Sequence, residues 1–140
     1  MTSTTNRYLA YPAAAAGKSL VSSAIAWTFG SYVELVPINI ITSTFYIVGF
    51  VWLTFPTATV DVTVETLFQV ATGASGSEVE AVQFPSTWRI DSAAGHMPLA
   101  QIILPEPKLI AANTRLSARV ANTGTVAFTY AGFKLFYQMA

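Results

Sequence analysis

The single histidine, His96, stands in the segment "DSAAGHMP", with Asp91 and Ser92 a few residues before it. Asp, Ser and His are the residue types of a hydrolytic triad, in which the imidazole takes the serine proton and the carboxylate orients the ring. Triads are assembled by geometry, as a rule from distant segments, so three such residues within 91–96 of one glycine-containing loop read as a polar turn. The segment "GASGS" (73–77) lacks the G-x-S-x-G spacing of a nucleophile elbow. Metal chemistry is short of ligands. There is no Cys and one His, which leaves zinc without a donor set. Glu78, Glu80 and Asp91 are the one nearby oxygen cluster for calcium, and a solvated loop accounts for the two glutamates more simply. No glycine-rich phosphate loop occurs. The expectation is a non-enzymatic chain with no cofactor and no metal.

Recognition residues offer more. Trp88, in "PSTWRID", has polar neighbours suited to stacking a sugar, whereas Trp27 and Trp52 lie in apolar runs and read as core or interface. Arg115 and Arg119 stand four apart, so on a strand they share a face. They are suited either to cross-strand pairing with Asp61 or Glu65, or to the carboxylates and carbonyls of a partner chain, which the guanidinium fork fits well.

These residues must be positioned by strands. In "TVDVTVE" (59–65), Val60, Val62 and Val64 alternate with Asp61, Thr63 and Glu65. In "TRLSARVAN" (114–122), Leu116, Ala118 and Val120 oppose Arg115, Ser117 and Arg119. Val126, Phe128 and Tyr130 share a face before a bend at Gly132, and "NTGT" (122–125) supplies a tight connection between the last two strands. "LVSSAIAWTF" (20–29), "YVELV" (32–36), "VEAVQF" (79–84), "LAQIIL" (99–104) and a short "WRI" (88–90) are further strands, and "TGASGS" (72–77) is an exposed loop. Pro37, Pro56, Pro85, Pro98, Pro105 and Pro107 fall between these runs. No run has a 3.6-residue period. About eight short, regularly spaced strands predict an all-β fold, an antiparallel sandwich or barrel.

Residues 38–55, "INIITSTFYIVGFVWLTF", carry no charge and raise the question of a membrane helix. A spanning helix needs about 20 apolar residues, commonly with basic flanks. Here the nearest charges are Glu34 and Asp61, Pro37 and Pro56 bound the run, and β-branched and aromatic residues dominate. The stretch reads as a strand buried on both faces. Phe45, Ile47, Gly49, Val51, Leu53 and Phe55 take one face; Tyr46, Val48, Phe50 and Trp52 take the other, and Tyr46, Phe50 and Trp52 are candidates for burial under an arm or a neighbouring subunit.

The chain has 140 residues, which fits one domain: an N-terminal arm over 1–18 and a sandwich over 19–140. "YPAAAAG" sets Pro before small residues and ends in Gly, the pattern of an extended arm, with a disordered tail as the alternative; Tyr8, Leu9 and Tyr11 are its apolar anchors. The N-terminus lacks the unbroken apolar core of a signal peptide. Seven basic and seven acidic residues make up only 10% of the chain, against roughly 25% in an ordinary soluble domain, while hydrophobic residues reach 53%. So little charge implies surface covered by lipid or by other protein subunits, and the strand reading of 38–55 favours protein. With no basic patch, nucleic acid is not an expected partner, and neither is a membrane. Without Cys, redox chemistry does not indicate the compartment.

The segment "QIILPEPKLIAANTRLSARVANTGT", followed by an aromatic-rich last strand, resembles the jelly-roll decoration (cement) proteins of tailed-phage capsids. The matching features, over residues 99–137, are a strand ending in Pro, a short Pro-bounded link, "IAANTR" leading into an alternating strand with Arg outward, and a polar hairpin. The resemblance implies a β-sandwich that forms a homotrimer. Such a trimer sits on the outer capsid surface of a virion, clamps neighbouring major capsid proteins, and uses its N-terminal arm to reach a neighbour. The other readings are a tail or receptor-binding sandwich that recognises glycans through Trp88 and the 72–80 loop, and a coat subunit that assembles alone.

Overall fold

A computed structural model describes residues 8–13, 16–55, 62–90 and 99–140, with the side chains of 53–55, 62, 88–90 and 99 left aside. Runs of Val, Ile, Phe, Tyr and Trp punctuated by Gly and Pro favour pleated backbone over helix, and the elements among the described residues are strands. They are β1 (Leu9–Tyr11), β2 (Lys18–Val21), β3 (Val33–Val36), β4 (Phe45–Phe55), β5 (Val62–Thr72), β6 (Val79–Ile90), β7 (Leu99–Ile110), β8 (Leu116–Asn122) and β9 (Thr129–Met139). The uncharged 45–55 run is therefore strand β4. Among the described residues no helix is long and apolar enough to cross a membrane.

The strands form two antiparallel sheets. The first has the order β1-β9-β4-β7, with β2 also on β9; the second has the order β3-β8-β5-β6. The pairs β2–β9, β3–β8, β4–β7 and β5–β6 are nested, early strand with late strand, as if one long hairpin had been rolled over itself. That nesting is the jelly-roll form of sandwich. The arm's described part extends it: β1 lies along the far end of β9, with Leu9 opposite Tyr137 and Tyr11 opposite Leu135.

Facing rings lock the two sheets together. Trp52 on β4 lies 4.5 Å from Phe68 on β5, Phe50 lies 5.0 Å from Phe84 on β6 and 5.3 Å from Phe133 on β9, and Phe68 lies 5.2 Å from Phe84. Such ring pairs add roughly 0.5–1.5 kcal/mol each beyond the apolar area they bury. Around them Leu20, Leu35, Ile47, Leu116, Val120 and Leu135 complete the core.

Several expectations are corrected here. Strict alternation assigns Phe50 and Trp52 to the face of Tyr46, but the register of β4 shifts between Ile47 and Gly49 against both neighbours. The bulge reverses parity. Phe50 and Trp52 therefore join Phe45 and Ile47 in the chain's own core, with 0% and 1% of their surface exposed, and Val51 turns outward. A bulge at Gly132 (φ 65°) does the same in β9, bringing both Tyr130 and Phe133 inside.

The 20–29 run is not one strand, because β2 ends at Val21 and the chain then turns. "WRI" continues β6 rather than standing alone. Pro85, Pro105 and Pro107 lie inside β6 and β7, the outer strands of their sheets, where a missing amide donor is tolerated. Finally, "NTGT" joins strands of different sheets rather than hairpin neighbours.

Candidate interaction surfaces

The outer face of the second sheet is polar, and its arginines and Gln69 are paired within the chain. The alternation in β8 places Arg115 and Arg119 on it together, as expected, but their partners differ from those foreseen. Arg115 Nε donates to Glu34 Oε2 at 2.8 Å, and Nη1 donates to the Gly73 carbonyl at 3.0 Å and lies 3.6 Å from Glu78 Oε1. Arg119 Nε donates to Gln69 Oε1 at 2.6 Å, and its guanidinium carbon lies 4.4 Å from the Phe29 ring centroid and 4.2 Å from that of Tyr32.

Gln69 is the hub of this face. Its Oε1 also accepts from Tyr32 Oη at 2.8 Å, and its Nε2 donates to Glu80 Oε2 at 2.7 Å and to Gln83 Oε1 at 3.3 Å. Glu65 is not the partner of either arginine in these contacts, and Asp61 lies outside the described residues. Glu78 and Glu80 are thus engaged by Arg115 and Gln69, and among the described residues no group of three metal-ligating side chains occurs.

A second polar cluster is buried where the sheets meet. Asn122 Nδ2 donates to Ser22 Oγ at 2.7 Å, Ser22 Oγ accepts from Phe128 N at 2.9 Å, and Thr66 Oγ1 lies 3.1 Å from Tyr130 Oη. Burial pushes the Tyr130 phenol above its ordinary 10.0, while the hydrogen bonds from Thr66 and Asn122 partly oppose that shift. These groups hold the β8–β9 crossing in place.

The outer face of the first sheet has a different character. The register aligns Leu109, Tyr46 and Gln138 in one row, then Ile103, Gly49 and Phe136, then Gln101, Val51 and Lys134. Ile103 and Leu109 are each more than half exposed, Tyr46 is exposed, and Val51 and Phe136 are half-buried. Gly49 lies at the centre because β7 leaves no space: a Cβ there would lie 2.3 Å from the Ile102 carbonyl oxygen. The rows form an apolar sheet face whose one charge is Lys134.

Of the predicted contact residues, Tyr46 lies on this face, while Phe50 and Trp52 do not. Tyr8 is exposed next to β1, and Leu9 and Tyr11 are half-buried on the same side of the sheet as Tyr137 and Leu135. Trp88 is opposite Val64 in the β5–β6 register, but its side chain is outside the described residues, as are Asp91, Ser92 and His96. Sequence reasoning missed Gln69, Phe29, Tyr32, Ile103 and Leu109. The signal for Leu109 was present, since it stands outward of buried Ile110, but its pairing with Tyr46 was not visible.

A cleft of about 680 Å³ runs between the free edges of β6 and β7, lined by Phe84, Pro85, Ile102, Leu104, Pro105 and Glu106 among others. It forms because β7 leaves its pairing with β4 over residues 104–107: Ile103 is opposite Gly49 and Lys108 is opposite Ile47.

No family model and no curated protein matches the sequence. Among solved structures, the infectious bursal disease virus Gx strain matches at 11% identity over 95% of this chain, with a TM-score of 0.47. The VP2 subviral particle of infectious bursal disease virus matches at 12% identity over 95%, with a TM-score of 0.46. This chain spans about a third of the length of those chains, 33% and 32% respectively. A likeness this distant decides neither family nor role.

Proposed function

We propose that this chain is a non-enzymatic structural protein of a virion, a decoration (cement) subunit that binds the outer surface of a tailed-phage capsid and stabilises the lattice. The observation that carries the reading is the contrast between the two outer faces. On the second sheet Arg115, Arg119, Gln69, Glu34, Glu78 and Glu80 answer one another within the chain. On the first, Tyr46, Ile103, Leu109 and Phe136 surround a glycine with little polar company. Exposed apolar area of this kind favours a protein partner, since covering it releases water and leaves a single charge, Lys134, to be paired. The partner in this reading is the major capsid protein, and the chain acts as a homotrimer.

The mechanism is mass action. A subunit that binds the assembled lattice and not free capsid protein shifts the equilibrium towards the lattice. Three linked copies bind with high effective concentration, so modest single contacts suffice. Co-sedimentation with undecorated tailed-phage capsids tests the reading, comparing wild type with an Ile103→Glu/Leu109→Glu variant whose circular dichroism matches wild type. Wild type is expected in the pellet and the variant in the supernatant. Wild type that stays in the supernatant would overturn the capsid role, and equal pelleting of the two would move the contact to another surface. Light scattering in detergent-free buffer is expected to give three times the 15.0 kDa chain mass.

A further inference from the structure

Trp27 sits at φ 58°, in the left-handed region that suits glycine and strains a bulky residue. More than half of its surface is exposed, as is that of Ile25 beside it. The backbone beneath is firmly tied. Trp27 N donates to the Asn122 carbonyl at 2.7 Å, Thr28 N to Ile25 O at 3.1 Å, and Gly30 N to Val120 O at 3.0 Å. Phe29 is held over Arg119 two residues on. A strained backbone, anchored on both sides, thus presents an indole to solvent. Strain of this kind persists where the surroundings impose it, and Trp is among the residues enriched at the hot spots of protein interfaces.

The matching concavity lies at the other side of the sandwich. β2 and β3 flank one edge, where the Trp27 segment connects them, and β6 and β7 flank the opposite edge, where the cleft opens. The cleft floor is Phe84, Ile102 and Leu104, and its charges are one acid and one base, Glu106 and Lys108. Residues 19–33 carry no charge at all. Seating one in the other brings no further charge to the interface, and the two the cleft has are of opposite sign. Pro85, Pro105 and Pro107 remove backbone donors from both cleft edges, which disfavours an added strand and leaves room for a side chain.

We infer that Trp27, with Ile25, anchors one copy of this chain in the β6–β7 cleft of the next. Knob and cleft lie on different patches, so the contact is heterologous: repeated, it closes into a ring or continues as a filament. The trimer proposed above is the closed case, and the inference rests on that self-association.

The chain has no cysteine, so disulfide trapping is clean. Chains carrying Ala26→Cys and chains carrying Glu106→Cys are mixed under mild oxidant. The expected product is the mixed disulfide dimer in excess over either homodimer, and a chain carrying both substitutions gives a ladder that ends at three. Wild type that is oligomeric by light scattering, with no mixed product, would overturn this contact and leave self-association standing. Wild type that is monomeric at every concentration would remove both. Trp27→Gly separates anchor from scaffold, because glycine suits the backbone there: the variant is expected to be monomeric and folded, with a circular dichroism spectrum matching wild type and an unfolding temperature that, unlike that of wild type, does not depend on protein concentration. Trp27→Gly that associates as wild type does would refute the anchor.

Discussion

Arg119 is held on three sides, by the Phe29 and Tyr32 rings and by Gln69 Oε1. The planar guanidinium can stack between two rings and still direct Nε in its plane, which an ammonium group cannot do. Arg119→Lys keeps the charge and is expected to cost about 1 kcal/mol in urea unfolding. An unchanged midpoint would mean that the rings alone hold the segment. Tyr130 gives a pH dependence whose sign follows from burial. Its folded phenol titrates above the ordinary 10.0, so the stability that comes from keeping it neutral is complete below pH 10 and is lost as pH rises through the folded value. Wild type is expected to lose stability above pH 10 more steeply than Tyr130→Phe. Parallel alkaline limbs in the two proteins would contradict this. The Arg115 and Arg119 pairing face was legible from alternation in β8. Their partners were not, because Glu34 and Gln69 reach them through sheet pairing across long stretches of sequence.

At the scale of the element, β4 and β7 carry the main departure from simple alternation. Gly49 is required because β7 approaches too closely for any side chain. Gly49→Ala is expected to destabilise by about 1–3 kcal/mol as backbone shifts to admit a methyl group. A change under about 0.5 kcal/mol would show that β7 yields easily at this point. β1 is an addition to a roll already closed by the β2–β9 pair. Deleting residues 1–13 is therefore expected to leave a cooperatively folding sandwich of lower stability, since Leu9 and Tyr11 lose half-buried contacts; a non-cooperative melt would show that β1 is integral. Strand β4 was recognisable from its β-branched and aromatic content. Its faces were not, because the bulge arises where β7 loops out at 104–107, a segment far away in the chain.

For the whole molecule, the nested pairing sets the folding kinetics. Apart from the β5–β6 hairpin, the described pairings join strands distant in sequence, β1 with β9 most of all. Loop-closure entropy must be met before those contacts form, so refolding is expected on the millisecond-to-second scale typical of sandwiches. Stopped-flow fluorescence, read from the buried Trp52 among other tryptophans, checks this. A complete microsecond transition would contradict the topology.

The sequence by itself determined the class of the protein: all-β, one sandwich, charge-poor, with a central strand too apolar for any other role. These properties depend on residue type and local period, which are local quantities. The tertiary structure alone decided which side of β4 is core, which prolines lie within edge strands, and that Trp27 faces water rather than packing inside. The first turns on register, the second on which strands end their sheets, and the third on where β2 stops. A strand's facing is counted from its bulges, and a bulge forms only where a partner strand fails to match it residue for residue.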